Sequence, residues 1–461
     1  MSREITQTLT MQEPSHTAPV SKEYTVGNKR KMFTRQESLV KLLKPCHSVA
    51  DSLLSAQNKF EMNYRGIVTW VIIILFCSNV KNAFSNISKY GIRVRPLGVY
   101  TWCVEFFMDP YNWPCICLLL GYPIVVTVIL QVEKLLSQKR ISPNLGVIIH
   151  SITFSAILGV PAGVLFSVQH SPIAAFFILL GYSILWLKMI SYVEVNHWER
   201  EMIKGNYNST KTMKNESTKE TLVTYPNNLN YRDIIYFVFV PTLCYELNFP
   251  RTEKIRIGFM FRRLAEFILL FQLLIFLVQQ WVIPGIESSM KPLRDMELHR
   301  LVERLFSLAI PNHFIWLIMF YGYFHCFFNF LGEATRFGDR RFYRDWWNAQ
   351  TIREFWTHWN VPTHRWLVRH VYKPMLSQGY SKRTSFFFVF LLSSFFHEYL
   401  VSIPLRMLRL WAFIGMLIQV PFSLITEMFF KGDYGNGAMW FSIIVGQPAI
   451  ILMYVHDYFY L

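Results

Sequence analysis

Nine runs of the chain carry apolar side chains with little interruption, at about 67–85, 114–133, 145–167, 172–192, 259–283, 311–333, 385–403, 410–430 and 438–460. Each is close to the roughly 20 residues that an α-helix needs to cross the hydrocarbon core of a bilayer. Several contain Gly, Pro or a polar side chain, which neighbouring helices can satisfy inside a bundle but lipid cannot. The pattern predicts an all-α polytopic membrane protein of about nine transmembrane helices, packed as a bundle with a polar interior.

Two of the connections between runs are long. The first, about 193–258, opens with a low-complexity polar stretch at 205–221 and continues into a half-apolar segment at 231–250. That segment is too short and too polar to span, and it predicts an amphipathic helix lying in the interface. The second, about 334–384, is rich in Arg and holds Trp346, Trp347, Trp356, Trp359 and Trp366, five of the chain's 14 Trp. Such a concentration fits an aromatic belt at headgroup depth. It fits equally a structured cap over a cytoplasmic opening, with Arg side chains ready for an anionic ligand. Residues 1–45 contain Lys29, Arg30, Lys31 and Arg35 but no apolar stretch of signal-peptide length, so they predict a disordered cytoplasmic tail ahead of one membrane domain over 46–461.

Composition agrees with a bilayer as solvent: 52% of residues are hydrophobic and 16% charged, against about a quarter charged in a soluble domain. The net charge of +16 does not indicate a nucleic-acid partner, because the basic residues form no single soluble patch. They divide by side instead. With the N-terminus in the cytoplasm, 33 Lys and Arg fall in the tail and the loops of that side, and 9 in the loops opposite. This positive-inside bias predicts a cytoplasmic N-terminus and a lumenal C-terminus. Of three glycosylation sequons, Asn208 and Asn215 fall on the cytoplasmic side and are expected bare, while Asn86 sits at the lumenal end of the first run. The seven cysteines show no metal-binding or disulfide spacing and read as core residues.

The seventh run contains Ser393-Ser394-Phe395-Phe396-His397-Glu398-Tyr399. An ionisable pair is expensive to keep inside a membrane helix. Counted from Ser385, His397 lies roughly 18 Å into a core about 30 Å thick, near the midplane. There it can serve as a general base or as an interhelical hydrogen-bond partner, and the residue alone does not decide between them. Glu398 points about 100° away around the helix, which favours a structural polar network over a His-Glu catalytic pair. His150, Asn312, His313 and His325 are further polar groups in or near the runs. Gln419 and Gln447, well inside the eighth and ninth, can face the same cavity as His397 or bond between helices.

Phe342-Tyr343-Arg344-Asp345-Trp346-Trp347-Asn348 resembles the FYxDWWN signature of the sterol and diacylglycerol branch of the membrane-bound O-acyltransferases, and His397 follows at a suitable distance. Further stretches resemble the diacylglycerol-using, type 1 members: 241–250, Trp359-Asn360-Val361-Pro362, 397–402, 409–413, 446–448 and 454–458. The likeness covers about residue 46 to the end. It implies a nine-helix enzyme of the endoplasmic reticulum, forming a homodimer or homotetramer, that joins fatty acyl-CoA to sn-1,2-diacylglycerol with no cofactor. It implies that His397 is the catalytic base and that Asn360 lies beside the reacting thioester. The signature run 342–348 and Trp359, Tyr372, Ser393, Met416, Gln419 and Gln447 match substrate-binding positions. A sterol acyltransferase shares the signature, and a transporter also buries His and Gln at the midplane.

Overall fold

The protein, seen here as a computed structural model, is described over residues 65–95, 97–204, 222–295, 297–430 and 432–460. The expected disordered tail and the polar stretch with Asn208 and Asn215 lie outside those residues. Contacts divide the chain into two units, Met1–Val80 and Lys81–Leu461.

The helices in chain order are α1 (Arg65–Tyr90), α2 (Gly98–Met108), α3 (Trp113–Ser137), α4 (Pro143–Ser167), α5 (Pro172–Lys204), α6 (Tyr231–Phe239), α7 (Ile257–Leu277), α8 (Ile283–Arg294), α9 (Leu298–Phe320), α10 (Phe328–Ala334), α11 (Ile352–Trp359), α12 (Val361–Leu367), α13 (Lys373–Ser377), α14 (Lys382–Leu405), α15 (Trp411–Leu417), α16 (Gln419–Phe429) and α17 (Asp433–Tyr460). Wider π turns at Val278–Val282, Tyr321–Phe327 and Val368–Tyr372 join three consecutive pairs, so that α7–α8 and α9–α10 each run on as one long element. Among the described residues nine helical segments are long and apolar enough to cross a membrane. Each overlaps one of the nine predicted runs, and several extend beyond it, the sixth beginning at Leu298 where the run is expected from 311.

Local signals set the starts. Ser142 accepts from Leu145 N at 3.3 Å with Pro143 at the first helical position of α4. Ser381 likewise accepts from Thr384 N at 3.1 Å to open α14. Each side chain takes up one of the backbone donors that a helix start leaves without a partner. Asn86, the sequon expected on the lumenal side, is in the last turns of α1, and its Oδ1 accepts from Gln280 Nε2 at 2.8 Å.

Both long connections depart from expectation. The fourth run predicts helix to 192, yet α5 continues to Lys204, taking twelve residues from the first connection. This end of α5 is held by Glu133, wholly buried on α3, which pairs with Arg200 and with His150 Nε2 at 3.0 Å. The interfacial helix expected over 231–250 is helical only at Tyr231–Phe239, and Ile234 and Phe237 are buried against the bundle core. Its end is closed by Lys188 Nζ, which donates to the carbonyls of Phe237, Val238 and Val240 at 2.7–2.9 Å. A helix end buried in protein needs such donors for its orphan carbonyls.

The second connection is a folded cap of three helices. Trp346 and Trp366 are 2% and 1% exposed, which corrects the belt reading for these two side chains. Trp346 meets Trp316 and Phe320 of α9, Trp359 and Phe355 of α11, and Trp440 of α17, with ring centroids 5.0–5.9 Å apart. Trp316 and Trp359 stack at 4.2 Å and 8°. These rings turn inward and clamp the cap to the bundle. Of the five Trp, Trp347 is exposed.

Candidate active site

A cavity of about 380 Å³ lies between the cap and α14, within the roughly 300–1,000 Å³ typical of small-molecule sites. One wall is Arg353, Trp356, Thr357, Trp359 and Asn360, continued past the break by Thr363, His364, Leu367, Val368 and Tyr372. The opposite wall is Phe386, Val389, Phe390, Ser393 and His397 of α14, with Met416 of α15 at the side. The α14 residues step by three and four, so they form a single helical face, while the opposite wall is assembled from α11, α12 and the turn that follows.

On the α14 face, His397 Nδ1 lies 2.8 Å from the carbonyl oxygen of Ser393, one turn back. A carbonyl only accepts, so Nδ1 carries the hydrogen. In the neutral ring Nε2 is then the nitrogen with a free lone pair, on a side chain that opens on the cavity. The backbone has chosen the tautomer.

Asn360 sits where α11 ends and α12 begins. Its Oδ1 accepts from Thr363 N at 3.1 Å and caps α12. That bond fixes the amide's orientation and leaves Nδ2, a pure donor, without a hydrogen-bond partner among the described residues. The cavity therefore contains an acceptor nitrogen on one wall and a donor nitrogen on the other. Next to Asn360, burial and the neighbouring Arg344 hold the His364 ring below the usual imidazole range, so at neutral pH it presents a polar, uncharged wall.

Behind His397 the helix closes. Glu398 Oε1 accepts from Leu410 N at 2.8 Å and from Ser402 Oγ; Oε2 accepts from Phe413 N at 3.0 Å and Tyr454 Oη at 2.8 Å. Arg406 and Leu410 adopt left-handed φ of 55° and 62° in the turn from α14 to α15. Non-glycine residues adopt that region seldom. The buried carboxylate holds the turn closed, and so aims α15 and its Met416 at the cavity.

Of the site residues expected from sequence, Asn360, His397, Trp359, Tyr372, Ser393 and Met416 line this one cavity. The signature run lies beside it. Phe342 and Trp346 are buried in packing, Tyr343 Oη is 2.8 Å from His325 Nδ1, and Arg344, Asp345, Trp347 and Asn348 are exposed. Asp345 faces His358 at 3.6 Å. Gln419 and Gln447 are not among the lining residues; Gln447 Oε1 accepts from Asn312 Nδ2 at 3.2 Å, an interhelical bond. Sequence reasoning missed Arg353, Trp356, Thr357, Thr363, His364, Leu367, Val368, Phe386, Val389 and Phe390. The signal was present: counting three, four, seven, eight or eleven residues from Asn360 or His397 reaches each of them.

The model of the membrane-bound O-acyltransferase family matches residues 165–456. Diacylglycerol O-acyltransferase 1 of Bos taurus is 48% identical over 420 residues, 90% of this chain and 85% of its own length. The protein of that name from Homo sapiens is 46% identical over 417 residues, covering 90% and 84%. Diacylglycerol O-acyltransferase 1C of Glycine max is 35% identical over 426 residues, covering 90% and 79%.

Proposed function

The chain belongs to the membrane-bound O-acyltransferase family, and from that premise we propose that it transfers a fatty acyl group from acyl-CoA to the free hydroxyl of sn-1,2-diacylglycerol, giving triacylglycerol and CoA. The observation that carries the chemistry is the bond from His397 Nδ1 to the Ser393 carbonyl, which leaves Nε2 as the proton acceptor in a cavity shared with Asn360.

His397 Nε2 takes the proton of the 3-hydroxyl as that oxygen attacks the thioester carbonyl. The C–O bond forms, the carbonyl oxygen gains negative charge, and Asn360 Nδ2 donates to it. Collapse breaks the C–S bond. The sulfur leaves with the electron pair and receives the proton from His397, which restores the neutral ring. A thioester is already activated, so an acyl-enzyme, metal or cofactor is not part of this route, and acyl-CoA is a substrate. The main demand on the protein is to hold two reactants in contact.

The same reading puts the enzyme in the endoplasmic reticulum membrane as a homodimer or homotetramer, with the N-terminus and the cap cytoplasmic. CoA is polyanionic and stays in water, while diacylglycerol and its product dissolve in the bilayer. A base near the midplane, reached from water past the cap and from lipid between helices, meets both. The test is triacylglycerol formation by purified protein given radiolabelled oleoyl-CoA and diacylglycerol, with cholesterol as competing acceptor. Labelled triacylglycerol with little sterol ester is the expected result; preferential sterol ester would overturn the acceptor assignment.

A further inference from the structure

The cavity wall opposite α14 ends in a cation that the chemistry above does not use. Arg353 lines the cavity from α11, and its guanidinium lies over the Phe386 ring of α14, 5.1 Å from the centroid. It also reaches across to α16, with Nε 3.3 Å from Glu427 Oε1 and Nη2 3.5 Å from Oε2. Glu427 Oε1 accepts in addition from Ser423 Oγ at 3.3 Å. The ion pair thus ties a wall residue to the neighbouring helix α16 at the end of the cavity away from His397. Both bonds are long, and the side chains are 54% and 30% exposed. A pair this open to water contributes little to the fold and exchanges partners easily.

Position gives the pair a meaning. From Phe386 to His397 the helix rises about 16 Å. The pantetheine arm of CoA has twelve bonds between its sulfur and its phosphate ester oxygen. That equals about four residues of extended chain, or roughly 14 Å. A thioester carbonyl held at His397 therefore places the first phosphates of CoA beside Arg353, and a guanidinium fork matches phosphate oxygens in geometry and charge.

We propose that the Arg353–Glu427 pair is an exchange gate for the phosphates of CoA: in the free enzyme Glu427 occupies Arg353, and an arriving acyl-CoA displaces the carboxylate and takes its place. Glu427 is then a competitor built into the protein, which weakens acyl-CoA binding and speeds release of CoA after transfer. Arg353 is a binding residue whose availability Glu427 sets. The inference rests on the acyl-CoA reading of the cavity.

The test is the KM for oleoyl-CoA in triacylglycerol synthesis by purified Arg353→Gln and Glu427→Gln enzymes. A gate makes the two variants move in opposite directions. Arg353→Gln raises KM about tenfold, as loss of a charge-assisted phosphate contact does. Glu427→Gln lowers it by about threefold, because the competitor is gone. Arg353→Lys, which keeps the charge without the fork, falls between Arg353→Gln and wild type. With oleoyl-pantetheine, which has no phosphates, the differences between variants and wild type vanish. A merely structural tie predicts that both neutral variants shift KM in the same direction and on either thioester; that outcome overturns the gate. So does an unchanged KM in both, in an enzyme that still makes triacylglycerol. A wild-type protein that makes none from oleoyl-CoA overturns the functional reading itself, and the gate with it.

Discussion

Two faces of α14 meet different surroundings within one residue of each other. On the cavity face, His397 spends one ring nitrogen on the Ser393 carbonyl and keeps the other open. About 100° around the helix, Glu398 is 6% exposed and receives donors from Ser402, Leu410, Phe413 and Tyr454. Both groups are costly to place in a membrane helix. The carboxylate recovers its cost by being fully satisfied, and it gains a structural task. The imidazole is left half-satisfied, and that incompleteness is what a general base requires. Partner accounting separates the two roles where residue type does not.

The comparison breaks if His397 proves dispensable. His397→Ala is expected to abolish acyl transfer, losing at least the 10² to 10⁴ that general-base removal commonly costs, while the protein stays folded and inserted. A well-expressed variant with near wild-type triacylglycerol synthesis would end the assignment. Asn360→Ala tests the opposite wall. One oxyanion donor is worth about 10² to 10³ in turnover, so kcat falls by that order with a smaller change in the KM for acyl-CoA. The variant also loses the cap of α12, and Asn360→Asp, which keeps an N-cap acceptor but offers no Nδ2 donor, separates the two effects: it keeps the stability and loses the turnover.

On the satisfied face the expected damage is to the fold. Glu398→Ala leaves the buried Tyr454 Oη and the part-buried amides of Leu410 and Phe413 without this acceptor, at about 1–3 kcal/mol for a buried group that finds no other. A lower Tm and less folded protein are expected, with activity per folded molecule falling far less than in His397→Ala. An unchanged Tm would remove the structural role.

The smallest effect is a pH dependence of stability at α6. Burial outweighs the bond from Tyr245 and the charge of Arg251, and pushes the Asp233 carboxyl up to about 6. Because the folded state binds this proton more tightly than the unfolded chain, the group's contribution is fully present below about pH 4 and is lost as pH rises through 6. Asp233→Asn removes that loss, so the Tm of the variant minus that of wild type should rise between pH 4 and 7. A flat difference would show that Asp233 does not titrate in that window.

Much of this protein is determined by sequence alone, and the reason is solvent. A bilayer core leaves backbone groups no partner outside their own segment, so nine long apolar runs become nine helices whatever surrounds them. His397 stood out for the same reason, as an ionisable side chain in a run that should hold none. The pattern of apolar residues was silent where water is within reach. It did not reveal that α5 continues to Lys204 on the strength of a buried Glu133, because the pairing with Arg200 and His150 joins residues far apart in the chain. Nor did it show that Trp346 and Trp366 turn inward, since a Trp-rich run reads alike as a belt or a packed cap until its neighbours are known. Asn360 and His397, in different elements on either side of the cap–bundle junction, came to share one cavity only when α11, α12 and α14 packed together. Helical spacing fixes which residues share a face; which faces meet is decided by long-range burial and hydrogen-bond satisfaction, and those belong to the tertiary structure.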